Sequence, residues 1–436
     1  MRLIVSLLFA AALAAQEPPV MELSLRQAVD IALAPDGATR LQLAQEAIRV
    51  AEFRSRQAKG ALMPQLDGSY SYANQTRNLK AFGISFNLPI PGYTPPAFVG
   101  PFPVNDARVN LAQSVLDLAS WKRYQAARAV TDQARAETAA VRQQTGDSVA
   151  RAYLTALRAQ AHIDAQQANL DLAEALVQLA ANQKDAGTGT GIDVTRARAQ
   201  LANERQRLIA ARNDFDRASL LLLRTINAPL TSRLRLTDVL ALLPADTAGA
   251  EAALRSAREA RPDLKAQQQR EIVARLQRQA VERERLPSVV AAGDYGVIGP
   301  TFQQYAYPTR SVGVALRVPL WDGGRREARR GESIVMQRQE AIRSRDLGRQ
   351  IELEIRLALD GIESAKAQVE AATEGLTLTG NELAQARRRF EAGFASSLEV
   401  TDAQTRIARA RDNRIAALYF YNLARLDLQT AMGQMP

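Results

Sequence analysis

RRRFEAGFASSLEVTDAQTRIARA, residues Arg387 to Ala410, holds the end of one helix, a tight turn at Ala392-Gly393 and the start of a second helix at Ser396 or Ser397. Glycine enters the left-handed region without a Cβ penalty, and a serine hydroxyl accepts one of the orphan N–H groups of a helix start. The pattern therefore predicts a helical hairpin. The same device stands earlier, at Lys184 to Gln200, KDAGTGTGIDVTRARAQ. Placing Gly187 on Gly393 brings Asp193 onto Glu399, Val194 onto Val400, Thr195 onto Thr401 and Ala197 onto Ala403. One constant offset relates all these pairs, so two copies of one unit are expected to make up the chain.

Composition agrees with long helices. The 436 residues are 47% hydrophobic but only 5% aromatic, so the apolar share is largely alanine and leucine. Such a chain favours closely packed helices over a thick globular core. The formal charge of +10 comes from arginines spread among Glu, Asp and Gln, as on a solvated face, which argues against a nucleic-acid partner. With no cysteine, disulfides, thiolate metal sites, a cysteine nucleophile and a lipid-modified N-terminal Cys are excluded. The single histidine, His162, lies within a helical stretch among Ala, Ile and Gln. It reads as structural; no cofactor, metal site or catalytic constellation is expected, and hence no enzyme.

The first residues, MRLIVSLLFAAALAAQEPPV, have one basic residue at Arg2, an apolar run from Leu3 to Leu13 and small residues at Ala12 and Ala14. That layout predicts a cleavable secretory signal over 1–15, too short to span a bilayer as a helix. No later stretch reads as a transmembrane helix. The mature chain is then either soluble outside the cytoplasm or crosses a membrane as β-structure.

Taken in order, the expected divisions are a first repeat over 16–227, a connector over 228–247 and a second repeat over 248–436. Ser24-Leu25-Arg26-Gln27 reads as a capping box for a short helix, and a longer one follows until Pro64. The second half repeats this around Arg261-Pro262-Asp263 and ends its long helix at Pro287. After each of these prolines the period changes to two. Leu66, Gly68, Tyr70 and Tyr72 share one face, and so do Val312, Val314, Leu316, Val318 and Leu320. Alternation of this kind marks strands with one apolar and one wet face, expected near 65–74, 102–116, 287–298 and 309–320. The first strand pair carries the longer, Pro- and Gly-rich connection, Leu88 to Pro103. Each pair leads into a helix of more than sixty residues, about 118–184 and 325–390, or roughly 100 Å at 1.5 Å per residue. The chain returns through 192–227 and 397–432 after tips near 185–192 and 391–397. In the returns Val194, Leu201, Leu208, Phe215 and Leu222 recur every seven residues, as do Ala403, Ala410, Ala417, Ala424 and Ala431, which specifies coiled-coil packing. The connector, with proline at both ends, is expected to pack on the outside of the helices.

Four strands cannot close a barrel, for which about eight are needed, and open edges in lipid leave backbone groups unsatisfied. Several copies must pool their strands: three give twelve, and two or four also fit the sequence. A secreted or periplasmic coiled-coil scaffold would account for the helices without the strands.

The order of short helix, long helix, two strands, long helix, glycine turn and helix, given twice, resembles the outer-membrane factor, or TolC-like, family of export ducts. Further matches are Arg261-Pro262-Asp263-Leu264, Val318-Pro319-Leu320-Trp321-Asp322-Gly323-Gly324, and Arg389-Phe390-Glu391-Ala392-Gly393 with Ser397-Leu398-Glu399-Val400. The resemblance covers nearly all the mature chain, and it lies in the joint order more than in any one motif. It implies a mainly α fold with a small β part, assembled as a homotrimer with a twelve-stranded barrel in the outer membrane and an α-helical tunnel through the periplasm. It also implies a periplasmic adaptor and an inner-membrane pump of the RND or ABC type, with outer-membrane lipid around the barrel.

Glu399 and Asp402, one turn apart, resemble the family's acidic rings at the periplasmic aperture, where crowded carboxylates attract cations. Asp193 matches Glu399, but Arg196 takes the place of Asp402, and Asp193 is also placed to hold a closed state by pairing with a neighbouring helix. An acidic residue also suits a helix start for its dipole alone. The tips Gly187, Thr188, Gly393 and Phe394 resemble the family's adaptor contacts, or are simply tight turns. Trp121 and Trp321 fall just past the strand-to-helix joints, where indoles favour a membrane surface or serve in packing.

Overall fold

The computed structural model describes residues 20–83, 98–244, 249–301 and 305–435. The signal expected at 1–15 lies outside these residues, as do 88–97 of the first strand connection and 245–247 of the connector. The chain is mainly helical with a small sheet part, and it divides into two compact units.

The first unit comprises residues up to 46, 137–265 and 346–436. It holds β1 (Val20–Leu23), α1 (Leu25–Leu33), the start of α2 (Thr39–Gly60), most of α3 (Leu118–Asp185), α4 (Gly191–Thr225), β4 (Arg233–Leu236), α5 (Ala250–Ala260), the start of α6 (Pro262–Arg283), most of α7 (Arg325–Glu391) and α8 (Ser397–Ala431). Ser24 caps α1 by the box its sequence predicts: its hydroxyl accepts from Gln27 N at 3.3 Å, and Ser24 N donates to Gln27 Oε1 at 2.9 Å. One core gathers Leu23, Val29, Val149, Tyr153, Leu222, Leu223 and Ile226. A second gathers Ala253, Ala257, Ile351, Ile355, Ile362 and Leu418. A third packs Leu176, Leu383, Phe390, Val400, Ala403 and Ile407 near the helix turns. Along α4 the seven-residue series alternates buried Val194, Leu208 and Leu222 with half-buried Leu201 and Phe215. Along α8 alanines 403, 410, 417 and 431 are all buried, as small side chains are where helices approach closely.

The connector contains a strand that its proline-flanked sequence did not announce. β4 pairs in parallel with β1, Val20 opposite Arg233 through Leu23 opposite Leu236. Tyr153 Oη donates to Leu23 O at 3.0 Å and Leu25 N to Asp238 Oδ2 at 2.8 Å. Further on, Tyr421 and Asn422 of α8 donate to Leu243 O and Ala241 O at 2.7 and 3.0 Å.

The Arg261-Pro262-Asp263 motif sits between α5 and α6. Pro262 takes the first helical position, where its missing N–H costs nothing. The Arg261 guanidinium, nearly buried, reaches Asp263 at 2.6 Å and Glu354 at 2.5 Å. Burial opposes its charge, yet the two carboxylates outweigh that and raise its pKa. Gly433, at φ 81°, lies so close that a Cβ would meet Arg261 N at 2.8 Å.

The second unit comprises 47–136 and 266–345. Its sheet has the order β2-β3-β5-β6, from β2 (Gln65–Asn78), β3 (Phe98–Leu116), β5 (Ser288–Gly299) and β6 (Tyr307–Arg317), each neighbour antiparallel. β2 and β6 are the edges. Register places Leu66, Tyr70 and Tyr72 on one face with Val109, Leu111, Tyr295, Val312, Val314 and Leu316. All of these are exposed, Val312 at 91%. Asp67, Ser69, Asp106, Arg108, Asn110, Asp294 and Ser311 fall on the other. β6 ends at Arg317, short of the 309–320 expected, because Pro319 has no N–H to donate to a ladder; Val318 and Leu320 lie outside the strand. At the base of the sheet Glu284 bridges Arg123 at 2.5 Å and Arg329 at 2.7 Å.

Candidate functional site

Two helix turns in the first unit form the candidate site. α3 ends at Asp185, and Gly187 takes φ 75°; Gly187 N donates to Lys184 O at 3.0 Å and Thr188 N to Gln183 O at 2.9 Å. α7 ends at Glu391, and Gly393 takes φ 77°; Gly393 N donates to Phe390 O at 3.1 Å and Phe394 N to Arg389 O at 2.8 Å. In both, a left-handed glycine lets the next N–H reach back and satisfy an orphan carbonyl. This is the turn the two glycines predict.

The helices that leave the turns start differently. At α4, Asp193 reaches back: its Oδ2 accepts from Thr190 N at 3.1 Å and from Thr190 Oγ1 at 2.5 Å. At α8, Ser396 stands in the N-cap position but its side chain makes no capping hydrogen bond, so the serine cap expected there is one of place only. The hydroxyl of Ser397 points elsewhere. It donates to Oδ1 of Asp193, joining the start of α8 to the start of α4.

A second tie runs between the same turns, from Gln183 Nε2 to Phe390 O at 2.9 Å. Phe390, buried against Leu176 and Val400, fills the space beneath. A cavity of about 20 Å³ lies alongside, lined by Asp193, Ser397, Gln200 and Gln404 among others. The hydroxyl of Ser397, then that of Thr190, holds the Asp193 carboxyl below the usual carboxylate range.

The other acidic residues have a different setting. Glu399 is half exposed, with Oε1 3.5 Å from Nε of Arg389 at the end of α7. Asp402, one turn along, is exposed. Of the three expected aperture carboxylates, then, Asp193 is engaged with hydroxyl donors, Glu399 is half exposed beside Arg389 and Asp402 faces solvent. Gly187, Thr188 and Gly393 are exposed, and Phe394 is 81% exposed. In the second unit, Trp121 occupies the first turn of α3, half exposed, with its ring centroid 5.9 Å from that of Tyr124. Trp321 precedes α7 in an irregular segment and is 87% exposed. His162 lies 3.4 Å from Asp412 on α8, in a groove with Arg158, Arg207 and Asp214. Among the described residues no group of three or more His, Asp or Glu is placed to hold a metal, and no helix is long and apolar enough to cross a membrane.

Ser397 is the residue that sequence reading placed only as a cap. Its role as a donor to Asp193 depends on a contact across 204 positions, for which the local sequence carries no signal.

Known proteins resemble this chain in sequence and in fold. The family profile described as Outer membrane efflux protein matches residues 33–228 and 253–434. Outer membrane protein TolC of Vibrio cholerae is 25% identical over 342 residues, covering 76% of each chain. Protein CyaE of Bordetella pertussis is 26% identical over 423 residues, covering 95% of this chain and 85% of its own. Among solved structures, the CmeC outer membrane channel of Campylobacter jejuni shares the fold with a TM-score of 0.79 at 16% identity, over 94% of this chain and 85% of that one.

Proposed function

The chain belongs to the outer membrane efflux protein family, and from that premise we propose how its parts serve an export channel. It is an outer-membrane efflux channel, a passive duct in which no bond is made or broken. The sheet carries the reading. Among the described residues its outer strands are β2 and β6, and it has one exposed apolar face and one polar face. In hydrocarbon, unpaired edges cost several kcal/mol per backbone group, so the edges are completed by those of sister copies. Three copies supply twelve strands around a water-filled lumen, and the partner in the membrane is outer-membrane lipid, with Trp121 and Trp321 at its inner surface.

The helices carry the duct into the periplasm as two repeats, 16–227 and 248–436, and the glycine turns form its far end. There Glu399 and Asp402 ring the aperture and favour cations. The Asp193–Ser397 hydrogen bond supports a closed arrangement, since it ties neighbouring helix starts. Opening is an iris-like untwisting that breaks this tie. Gly187, Thr188, Gly393 and Phe394 meet a periplasmic adaptor, which recruits the channel to an inner-membrane pump of the RND or ABC type, for tripartite efflux or type I secretion.

The test is fractionation followed by reconstitution. A heat-modifiable trimer band in the outer membrane, and single channels in planar bilayers whose cation preference falls in Glu399→Gln and Asp402→Asn, are the expected results. A protein soluble without detergent and giving no conductance overturns the channel; conductance with unchanged selectivity in both variants overturns the aperture role.

A further inference from the structure

The polar face of the sheet carries a charge cluster far in sequence from the helix turns. On β3, Asp106 and Arg108 are two residues apart and so share a face; β5 sets Asp294 beside them. Arg108 Nε donates to Asp106 Oδ1 at 2.8 Å, Nη2 donates to the second oxygen of the same carboxylate, and Nη1 lies 3.4 Å from Asp294 Oδ2. A guanidinium gripped by both oxygens of one carboxylate is fixed in plane as well as in place. Asp294 is itself held, accepting from the hydroxyl of Ser311 on β6.

Clearance for this arrangement comes from Gly296, the register partner of Arg108 on β5. A Cβ at that position would lie 2.4 Å from Arg108 Cβ and 2.7 Å from Ala107 O, closer than any side chain tolerates. The glycine thus marks where β5 leaves room for Arg108 by carrying no side chain of its own beside it. The three side chains remain 28%, 20% and 20% exposed, so the cluster sits at the surface of the polar face and not under it. Its apolar counterparts Val109 and Tyr295, register partners on the opposite face, turn the cluster away from lipid.

The geometry points to Arg108 as a selectivity residue of the barrel lumen, held against the wall by Asp106 and Asp294 in the clearance left by Gly296. This rests on the channel reading above and adds a second filter, in the membrane, to the carboxylates of the aperture. Two acids around one base leave the cluster net negative, so with Arg108 held back the wall favours cations. Releasing the arginine from its carboxylates sends a fixed positive charge towards the axis from each copy, and the preference turns towards anions.

The experiment uses the full-length assembled protein in planar bilayers under a potassium chloride gradient, at low salt, where screening is weakest. Arg108→Gln is expected to raise the ratio of potassium to chloride permeability about threefold, the scale of one fixed charge acting through water. The double variant Asp106→Asn with Asp294→Asn is expected to lower it below that of the unaltered channel. Should Arg108→Gln fail to insert, Arg108→Lys keeps the charge but loses the two-pronged grip, and a lowered ratio is expected there too. Channels whose ratio is unmoved by these variants overturn the role of Arg108 while the duct itself stands. An unaltered protein that forms no channel overturns both.

Discussion

The two helix turns share one backbone solution and differ in what their acidic residue does. Asp193 and Glu399 both stand three positions beyond the N-cap of the following helix. Asp193 folds back on Thr190 and takes the Ser397 hydroxyl, whereas Glu399 reaches sideways to Arg389 across 3.5 Å. The side chain one methylene shorter bonds its own cap, and the longer one leaves the cap empty. A helix start therefore does not by itself determine the role of its acid; the donors within reach do.

The change expected to disturb both turns most is Phe390→Ala. It removes a buried ring shared by the two hairpins, at about 3–5 kcal/mol, and amide hydrogen exchange is expected to quicken at Gly187 and Gly393 alike. Exchange that quickens at one turn only breaks the picture of a common core. Next comes Ser397→Ala, which strips one donor from Asp193 at about 1–3 kcal/mol. The mean channel-opening frequency is expected to rise roughly tenfold, since about 1.4 kcal/mol is a factor of ten, and Asp193→Ala added to it is expected to do little more.

Acidity separates the turns further. The Asp193 carboxyl is held below its ordinary range, so its contribution is complete at and above that range and is lost as pH falls through the lowered value. Opening frequency is expected to rise only below the ordinary carboxylate range, and the rise is expected to vanish in Asp193→Asn. A rise that persists in that variant assigns it to other groups. The smallest effect is expected from Arg389→Gln: its partner Glu399 is solvated, and such pairs contribute about 0–1 kcal/mol. A thermal midpoint lowered as far as in Phe390→Ala would erase the distinction between the turns.

Much of the fold was visible in the sequence because its signals are local. A glycine that must adopt positive φ, a proline that stops a helix and a period that changes from helical to two can each be read within a dozen residues. Those signals sufficed for the family and its place in the outer membrane. What the sequence did not yield depends on distant partners. The β1–β4 pair has only four residues on each side, too few for alternation to register, and Ser397 looks like any cap until Asp193 is brought beside it. Gly296 likewise reads as a weak strand residue until Arg108 lies opposite.

The parallel pairing of Val20–Leu23 with Arg233–Leu236 also sets a schedule. Leu25 and Asp238, the hydrogen-bonded pair just beyond it, are 213 positions apart, and such contacts form late because a long loop must close first. During synthesis the leading segment has no ladder to join until the middle of the chain exists. Its attachment therefore reports that the stretch from Leu23 to Arg233 has closed on itself, and a protease acting on residues near Leu23 would distinguish chains before that closure from chains after it.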